Sequence, residues 1–289
     1  AHVLSTQRKG LTKSALVNAI VGSEVEPADS TSSPPPDLPT ILEVRKLKRG
    51  HAVRDVSFSL HEGEVLGLAG LVGSGRTELV RMIFGADKLE AGQIFMDGKP
   101  ITIHDPHDAV RQGIALIPEE RRSQGLLLGK TVSFNINLPT LKGLRQVEWM
   151  PFINLKSGNT RAKSIVNRLQ VKTGSVHTPV SNLSGGNQQK VVIGKWLTQA
   201  MRVIILDEPS RGVDVGARGE IHSIVRSLAA DGAGVIVISS EMEELPGLCD
   251  RVLVMVEGRI VGVLVGAEIT KEALLQLSYA HAQETGEIL

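Results

Sequence analysis

Cysteine is nearly absent: Cys249 is the only one in 289 residues. No disulfide can close within the chain, so a disulfide-built scaffold is excluded and a reducing compartment suits it. Aromatic residues are 3% of the chain, so its core must be aliphatic. There is no run of 18 apolar residues, and hence no segment that reads as a helix spanning a bilayer. Ala1 to Gly10 lack the apolar centre of a signal peptide. Neither sign of charge prevails: Lys plus Arg is 32, Asp plus Glu is 31, and the net charge is +1. That balance supplies no chain-wide field for a polyanion, so no nucleic-acid partner is expected, although a local basic patch is not excluded. What is present is ordinary for a folded domain, with 42% hydrophobic and 22% charged residues. The length suits two domains, or one large domain with an inserted lobe.

Pro27 to Pro39 contains Asp29, Ser30 to Ser33 and the prolines Pro34 to Pro36. Proline runs favour extended chain, so residues 26–40 read as a linker, the alternative being a surface loop. Before it, Leu11-Thr12-Lys13-Ser14-Ala15-Leu16-Val17 parallels Ile269-Thr270-Lys271-Glu272-Ala273-Leu274-Leu275. In both copies the threonine can cap a short amphipathic helix. Residues 1–25 are therefore expected to be the tail of a preceding, homologous domain, with the chain as the second half of a tandem protein. The absence of an initial Met is in line with that expectation.

After the linker, strand and helix patterns alternate. Ile41 to Leu47 and Val53 to Leu60 alternate apolar and polar residues, as half-buried strands do. Glu64 to Ala69, Ile114 to Ile117, Val203 to Leu206 and Val235 to Ile238 are short apolar runs that read as central strands. Helices are expected at Arg76 to Ile83, Ala217 to Leu228 and Glu241 to Leu248, and a final strand pair at Val252 to Val256 and Ile260 to Val265. Buried-strand patterns vanish between about 120 and 200, which predicts an inserted helical lobe. The order describes a layered α/β domain over 41–265, with a C-terminal helix and tail over 266–289.

Gly70-Leu71-Val72-Gly73-Ser74-Gly75-Arg76-Thr77 joins a buried strand to a helix. The phosphate-loop pattern is Gly, four residues, Gly, Lys and Ser or Thr, and only the Lys is altered, to Arg76. Glycines let successive amides curl around a phosphate, and the helix N-terminus adds positive potential. Thr77 sets a hydroxyl where Mg²⁺ would sit. An arginine keeps the charge on a larger, forked group, so retained or weakened nucleotide binding and poorer transition-state geometry are expected. Taken alone, the pattern also allows a plain glycine-rich turn. Three-glycine dinucleotide spacing is not met. Val203 to Leu206 runs into Asp207-Glu208-Pro209. A strand ending there can offer Asp207 to a metal through water, and Glu208 to orient or deprotonate an attacking water. Solvated acids at a strand end are the bland alternative.

Leu183-Ser184-Gly185-Gly186-Asn187-Gln188-Gln189-Lys190 adds a turn in which Ser184 can cap a helix while Gly185 and Gly186 admit close approach of an anion. With this segment the chain resembles the ATP-binding cassette (ABC) family over 41 to about 265, the Leu-Ser-Gly-Gly-Gln type signature appearing as Leu-Ser-Gly-Gly-Asn-Gln. The resemblance implies a phosphate-loop NTPase fold of the ABC nucleotide-binding type, with an antiparallel β lobe and an inserted helical lobe. It also implies ATP and Mg²⁺ as ligands, and two cassettes sandwiching two ATP molecules between the phosphate loop of one and the signature of the other. Gly75-Arg76-Thr77, the Asn187-Gln188-Gln189-Lys190 stretch and Asp207 to Gly216 are similar to the second halves of tandem sugar-importer ATPases of the ribose, galactose and xylose type. Asp214 matches the acid of the D-loop.

Against that pattern, Arg76 replaces lysine, Glu119 matches the Q-loop glutamine, and Ser240 stands at the switch histidine. No adenine-stacking aromatic precedes Val53, where Leu47 and His51 lie instead. The expected arrangement is asymmetric: a degenerate pocket that binds nucleotide and hydrolyses it poorly, and an intact Ser184, Gly185, Gly186 and Gln188 that complete the site of an N-terminal homologous half. The resemblance further implies membrane permease subunits, indirectly a periplasmic sugar-binding protein, and a peripheral place on the cytoplasmic face of the inner membrane. Phe134 and Leu138 are candidates to line the permease socket, with ordinary helix packing as the alternative, and Arg121, Arg122 and Lys130 can equally be plain surface charges. Trp149, Trp196 and Cys249 read as packing residues. A non-transport ABC protein and a regulatory module without hydrolysis are the alternatives.

Overall fold

The computed structural model describes residues 38–144 and 154–280. The expected domain tail at 1–25, most of the linker, Trp149 and the last nine residues lie outside the described residues.

Two sheets carry the fold. Strands β1 (Thr40–Arg49) and β2 (Val53–His61) pair antiparallel, and β4 (Ala91–Met96) and β5 (Lys99–Ile101) extend them in the order β2-β1-β4-β5. The second sheet has β3 (Val65–Gly70), β6 (Ile114–Ile117), β7 (Val203–Asp207), β8 (Gly234–Ile238), β9 (Arg251–Val256) and β10 (Arg259–Val265), in the order β10-β9-β3-β8-β7-β6. All its pairings are parallel except β9 with β10. The inner strands are continuous apolar runs because both faces are covered. Strands β4 and β5 carry too few buried residues to be visible in the apolar pattern.

A charged network ties the sheets together. Arg251 donates to Glu64 Oε1 at 2.9 Å and to the Ser59 carbonyl at 2.7 Å, and Glu64 Oε2 also meets His61 Nδ1 at 2.8 Å. These groups are almost fully buried, so each removal would strand a partner.

The helices are α1 (Arg76–Ile83), α2 (Pro106–Arg111), α3 (Val132–Asn137), α4 (Leu155–Arg168), α5 (Gly185–Trp196), α6 (Val215–Ala230) and α7 (Lys271–Ala280). Helices α3 to α5 fill the region where buried-strand patterns fail. Thr131 caps α3 through the amide of Phe134, and Thr270 caps α7 through that of Ala273. One helix expectation is corrected: 241–248 forms consecutive turns. Its apolar residues Met242, Leu245 and Leu248 are buried, so the periodicity recorded burial of a folded loop. Cys249 is buried, and burial pushes its thiol far above the ordinary range, leaving it inert.

Candidate functional site

Strands β3, β8, β7 and β6 run parallel, so their C-terminal ends share one edge of the sheet. That edge collects the 70–77 loop, Ser239 and Ser240, Asp207 and Glu208, and Glu119. Because β8 lies between β3 and β7, the two serines sit between the loop and the acids.

The loop is a backbone turn. Ser74 N donates to the Leu71 carbonyl at 3.1 Å, and Gly75 enters α1 with φ 97°. A Cβ at Gly75 would lie 1.9 Å from the Ala52 carbonyl oxygen, so only glycine fits. Gly70 is close behind, 2.6 Å from the Ser74 hydroxyl by the same measure, whereas Gly73 faces open space beside the exposed Val72. No side chain caps α1, leaving its first-turn amides directed at the mouth of the loop. The buried Ser74 hydroxyl has no partner among the described residues.

Arg76 does not reach out of the loop. It is buried, and Nη1 donates to the Ser239 carbonyl at 2.7 Å while lying 3.9 Å from Glu208 Oε1. Burial lowers its pKa, and Glu208 and Asp207 partly offset that. Thr77 Oγ1 donates to Asp207 Oδ1 at 3.3 Å. Burial pushes the Asp207 carboxyl up to about 6 against the help of Thr77. Glu208 has a left-handed backbone, φ 49°, and its amide is held by the Ile238 carbonyl. Ser240 Oγ donates to Glu208 Oε2 at 3.1 Å. Arg76, Thr77, Asp207, Glu208 and Ser240 are thus one cluster, with the Glu208 carboxylate contacted from two sides.

Three expectations change. Glu119 is paired with Arg211, and its charge is engaged there. Ser184 occupies the cap position of α5 but makes no capping bond; its hydroxyl accepts from Asn187 Nδ2 at 2.8 Å. Gln188 is 2% exposed, and its Nε2 donates to the Val180 and Leu183 carbonyls at 3.2 and 3.1 Å. It shapes the turn from inside, its Nε2 spent on those two carbonyls. Asn187 is the half-buried neighbour, and its Oδ1 accepts from the Lys172 amide at 2.7 Å. Gly185 and Gly186 do lie at the α5 start, Gly186 so close to α6 that a Cβ would come within 2.5 Å of Ala217 Cβ. Asp214 caps α6, accepting from the Ala217 amide at 3.0 Å.

Sequence reasoning missed Ser239, which contributes only a carbonyl, and Arg211 and Arg121. Arg121 is not a free surface charge: half-buried, it donates to the Arg211 carbonyl at 2.6 Å and the Gly212 carbonyl at 3.0 Å. The Glu119-Glu120-Arg121-Arg122 run was the available signal.

A second feature opens beside this edge, a groove of about 380 Å³ between α1, α2 and the helical lobe, with Phe84, Val110, Leu116, Leu138 and Trp196 in its wall. Leu138 reaches it; Phe134 does not, lying instead under Lys130. Trp196 packs edge-on to Phe84 and donates to the Leu116 carbonyl at 3.2 Å. Buried Lys195 also lines the groove, bonds the Gly125 carbonyl at 2.9 Å, and is lowered by burial to about 8. Among the described residues no helix is long and apolar enough to cross a membrane.

The family model described as "ABC transporter" matches residues 53–211. The chain is 42% identical over 278 residues to the "Putative ribose/galactose/methyl galactoside import ATP-binding protein 1" of Rhizobium meliloti (strain 1021), covering 96% of this chain and 55% of that relative. It is 46% identical over 272 residues to "Ribose import ATP-binding protein RbsA" of Chelativorans sp. (strain BNC1), covering 94% and 53%. The chain thus spans about half the length of the curated relatives it matches. A solved nucleotide-free ATP-binding cassette from an ABC transporter superposes with TM-score 0.70 at 26% identity, covering 81% of this chain and 95% of that one. An ATP-binding cassette in its ADP conformation gives 0.68 at 26% identity, covering 86% and 99%.

Proposed function

The chain belongs to the ABC transporter ATPase family, and from that membership we propose that it is an ATP-binding, energy-coupling cassette of a monosaccharide importer, the second half of a tandem protein. The import function named for its curated relatives supports this reading. The observation that carries the nucleotide part is the meeting of Thr77, at the start of α1, with Asp207, at the end of β7. The loop amides and the α1 start bind phosphate oxygens, and Arg76 adds charge from the floor of the pocket. The Thr77 hydroxyl and Asp207 carboxylate are an oxygen-only pair suited to a hard cation, and they would hold Mg²⁺. The metal would neutralise charge on the phosphate groups.

Hydrolysis in this pocket is slow on this reading. Glu208, the candidate base, is engaged by Arg76 and Ser240, and Ser240 cannot become cationic as a histidine can. Glu119 is engaged by Arg211. Positioning and charge act together in phosphoryl transfer, so several altered parts reinforce one another. The turn of Ser184, Gly185 and Gly186 serves the N-terminal half's site. The groove beside Leu138 and Trp196 receives a permease subunit, with a periplasmic sugar-binding protein acting on the far side. The protein then sits peripherally on the cytoplasmic face of the inner membrane. The contacts on Glu208 also favour a second reading, a regulatory module that binds nucleotide and never turns it over.

Calorimetric titration of this chain with Mg·ATP tests the pocket: uptake is expected, and its absence from folded protein refutes it. A fast Mg²⁺-dependent rate from this chain alone, lost in Glu208→Gln, refutes the slow pocket. Copurification of the tandem protein with a permease subunit is expected; association with ribosomes instead would remove the importer reading.

A further inference from the structure

Two arginines outside the phosphate loop cross between the same two segments. Arg121 follows β6 and binds backbone carbonyls of Arg211 and Gly212, 90 and 91 residues away. Arg211 follows β7, and its side chain returns to Glu119, with Glu120 4.0 Å away. The crossing lies against the start of α5: a Cβ at Gly185 would be 2.9 Å from Arg121 Nη2 and 3.0 Å from the Gly212 carbonyl oxygen. The turn that begins with Arg121, a single wide π-type turn over Arg121–Gly125, is held at its other end by Lys195, whose Nζ donates to the Gly125 carbonyl. One end of α5 is therefore bonded to this short segment through Lys195, and the other abuts it, with Gly185 packed against the Arg121 guanidinium and the Gly212 carbonyl that Arg121 holds.

We propose that Arg121 is a positioning residue that holds the Ser184–Gly186 turn in register with the loop after β7, so that the turn meets the partner half's nucleotide in one geometry. This rests on the reading that the turn completes the partner's site. Surface ion pairs contribute little, but Arg121 is not one: its fork grips two carbonyls, and the nearby carboxylates are turned to Arg211. A cation beside a helix N-terminus opposes the helix dipole, so stabilising α5 cannot explain it; an acid there would do better. The planar fork explains why arginine is needed. A lysine ammonium has three donors but no fixed fork, so it would hold the two carbonyls less rigidly.

The test uses Arg121→Ala and Arg121→Lys. In this chain, amide exchange over 184–186 and 211–213 should accelerate at least tenfold in both variants, while ATP uptake by the 70–77 pocket stays within twofold. In the tandem protein, kcat for ATP hydrolysis should fall at least tenfold with KM changed less than threefold. Unchanged exchange at 184–186 overturns the clamp, and Arg121→Lys also covers the case where Arg121→Ala fails to fold. Faster exchange with unchanged kcat overturns the positioning role. A tandem protein that hydrolyses no ATP even unsubstituted defeats the importer reading instead, and the exchange result still decides the clamp.

Discussion

Asp207 is the acid most readily taken as indispensable, and its burial makes it a cost to folding. Its carboxyl rises from 3.8 to about 6 because the sheet edge removes it from water, and the Thr77 bond recovers only part of that. The difference of about 2 units is worth roughly 3 kcal/mol at 1.36 kcal/mol per unit. Below the unfolded value both states hold the proton and no penalty exists. Between 3.8 and about 6 the unfolded chain ionises first, so stability falls as pH rises, and above about 6 the penalty is complete. Asp207→Asn keeps an oxygen for Thr77 and removes the ionisation. It should be more stable than the parent by up to about 3 kcal/mol near pH 7, with the gain vanishing near pH 4. Urea unfolding at both pH values measures it through the shift in midpoint at constant slope. A parent as stable as Asp207→Asn near pH 7, or a difference that does not change with pH, would refute the reasoning. Such a gain would be the common pattern of a functional group held against stability.

Gly75→Ala forces a Cβ against the Ala52 carbonyl oxygen at a left-handed φ, and should lose at least about 2–3 kcal/mol in denaturant unfolding. Lys195 has a folded pKa of about 8 against 10.5, so its penalty is complete below about 8 and is relieved as pH rises. The parent should gain up to about 3 kcal/mol on Lys195→Met between pH 7 and 10.5, measured by urea unfolding at each pH. Arg76→Ala removes the only basic side chain of the loop; ATP affinity by calorimetry should fall at least about tenfold, equivalent to about 1.4 kcal/mol. Asp214→Ala should cost α6 about 1 kcal/mol, seen as a lower thermal midpoint.

Much of the fold is legible because it is periodic or local. The β3, β6, β7 and β8 runs stand out as unbroken apolar segments, and α1 begins and ends where the sequence pattern predicts. The failures share one cause. Strands β4 and β5 lack a buried face long enough to alternate, and 241–248 has helix-like spacing but folds as turns. At the site, motif spacing finds the loop, the two acids and the Gly185-Gly186 turn. It does not reveal that the Ser184 hydroxyl pairs with Asn187 instead of capping α5, or that Gln188 turns inward, because which way a side chain faces depends on what packs behind it.

Chain order alone established the kind of protein: a phosphate loop after one buried strand, two acids ending another, and a glycine pair opening a helix between them. These are properties of neighbours, whose conformations and spacing the covalent chain imposes. Which groups meet was decided by the tertiary structure. Strand β8 lies between β3 and β7, and so brings the Ser239 carbonyl to Arg76, 163 residues away, and Ser240 to Glu208. The Arg121 and Arg211 crossing arises in the same way, from two strand ends made adjacent by hydrogen bonds between β6 and β7. The physical reason is that sheet order is a competition among distant pairings, settled by the burial of the whole apolar core, and no short stretch of residues records its outcome.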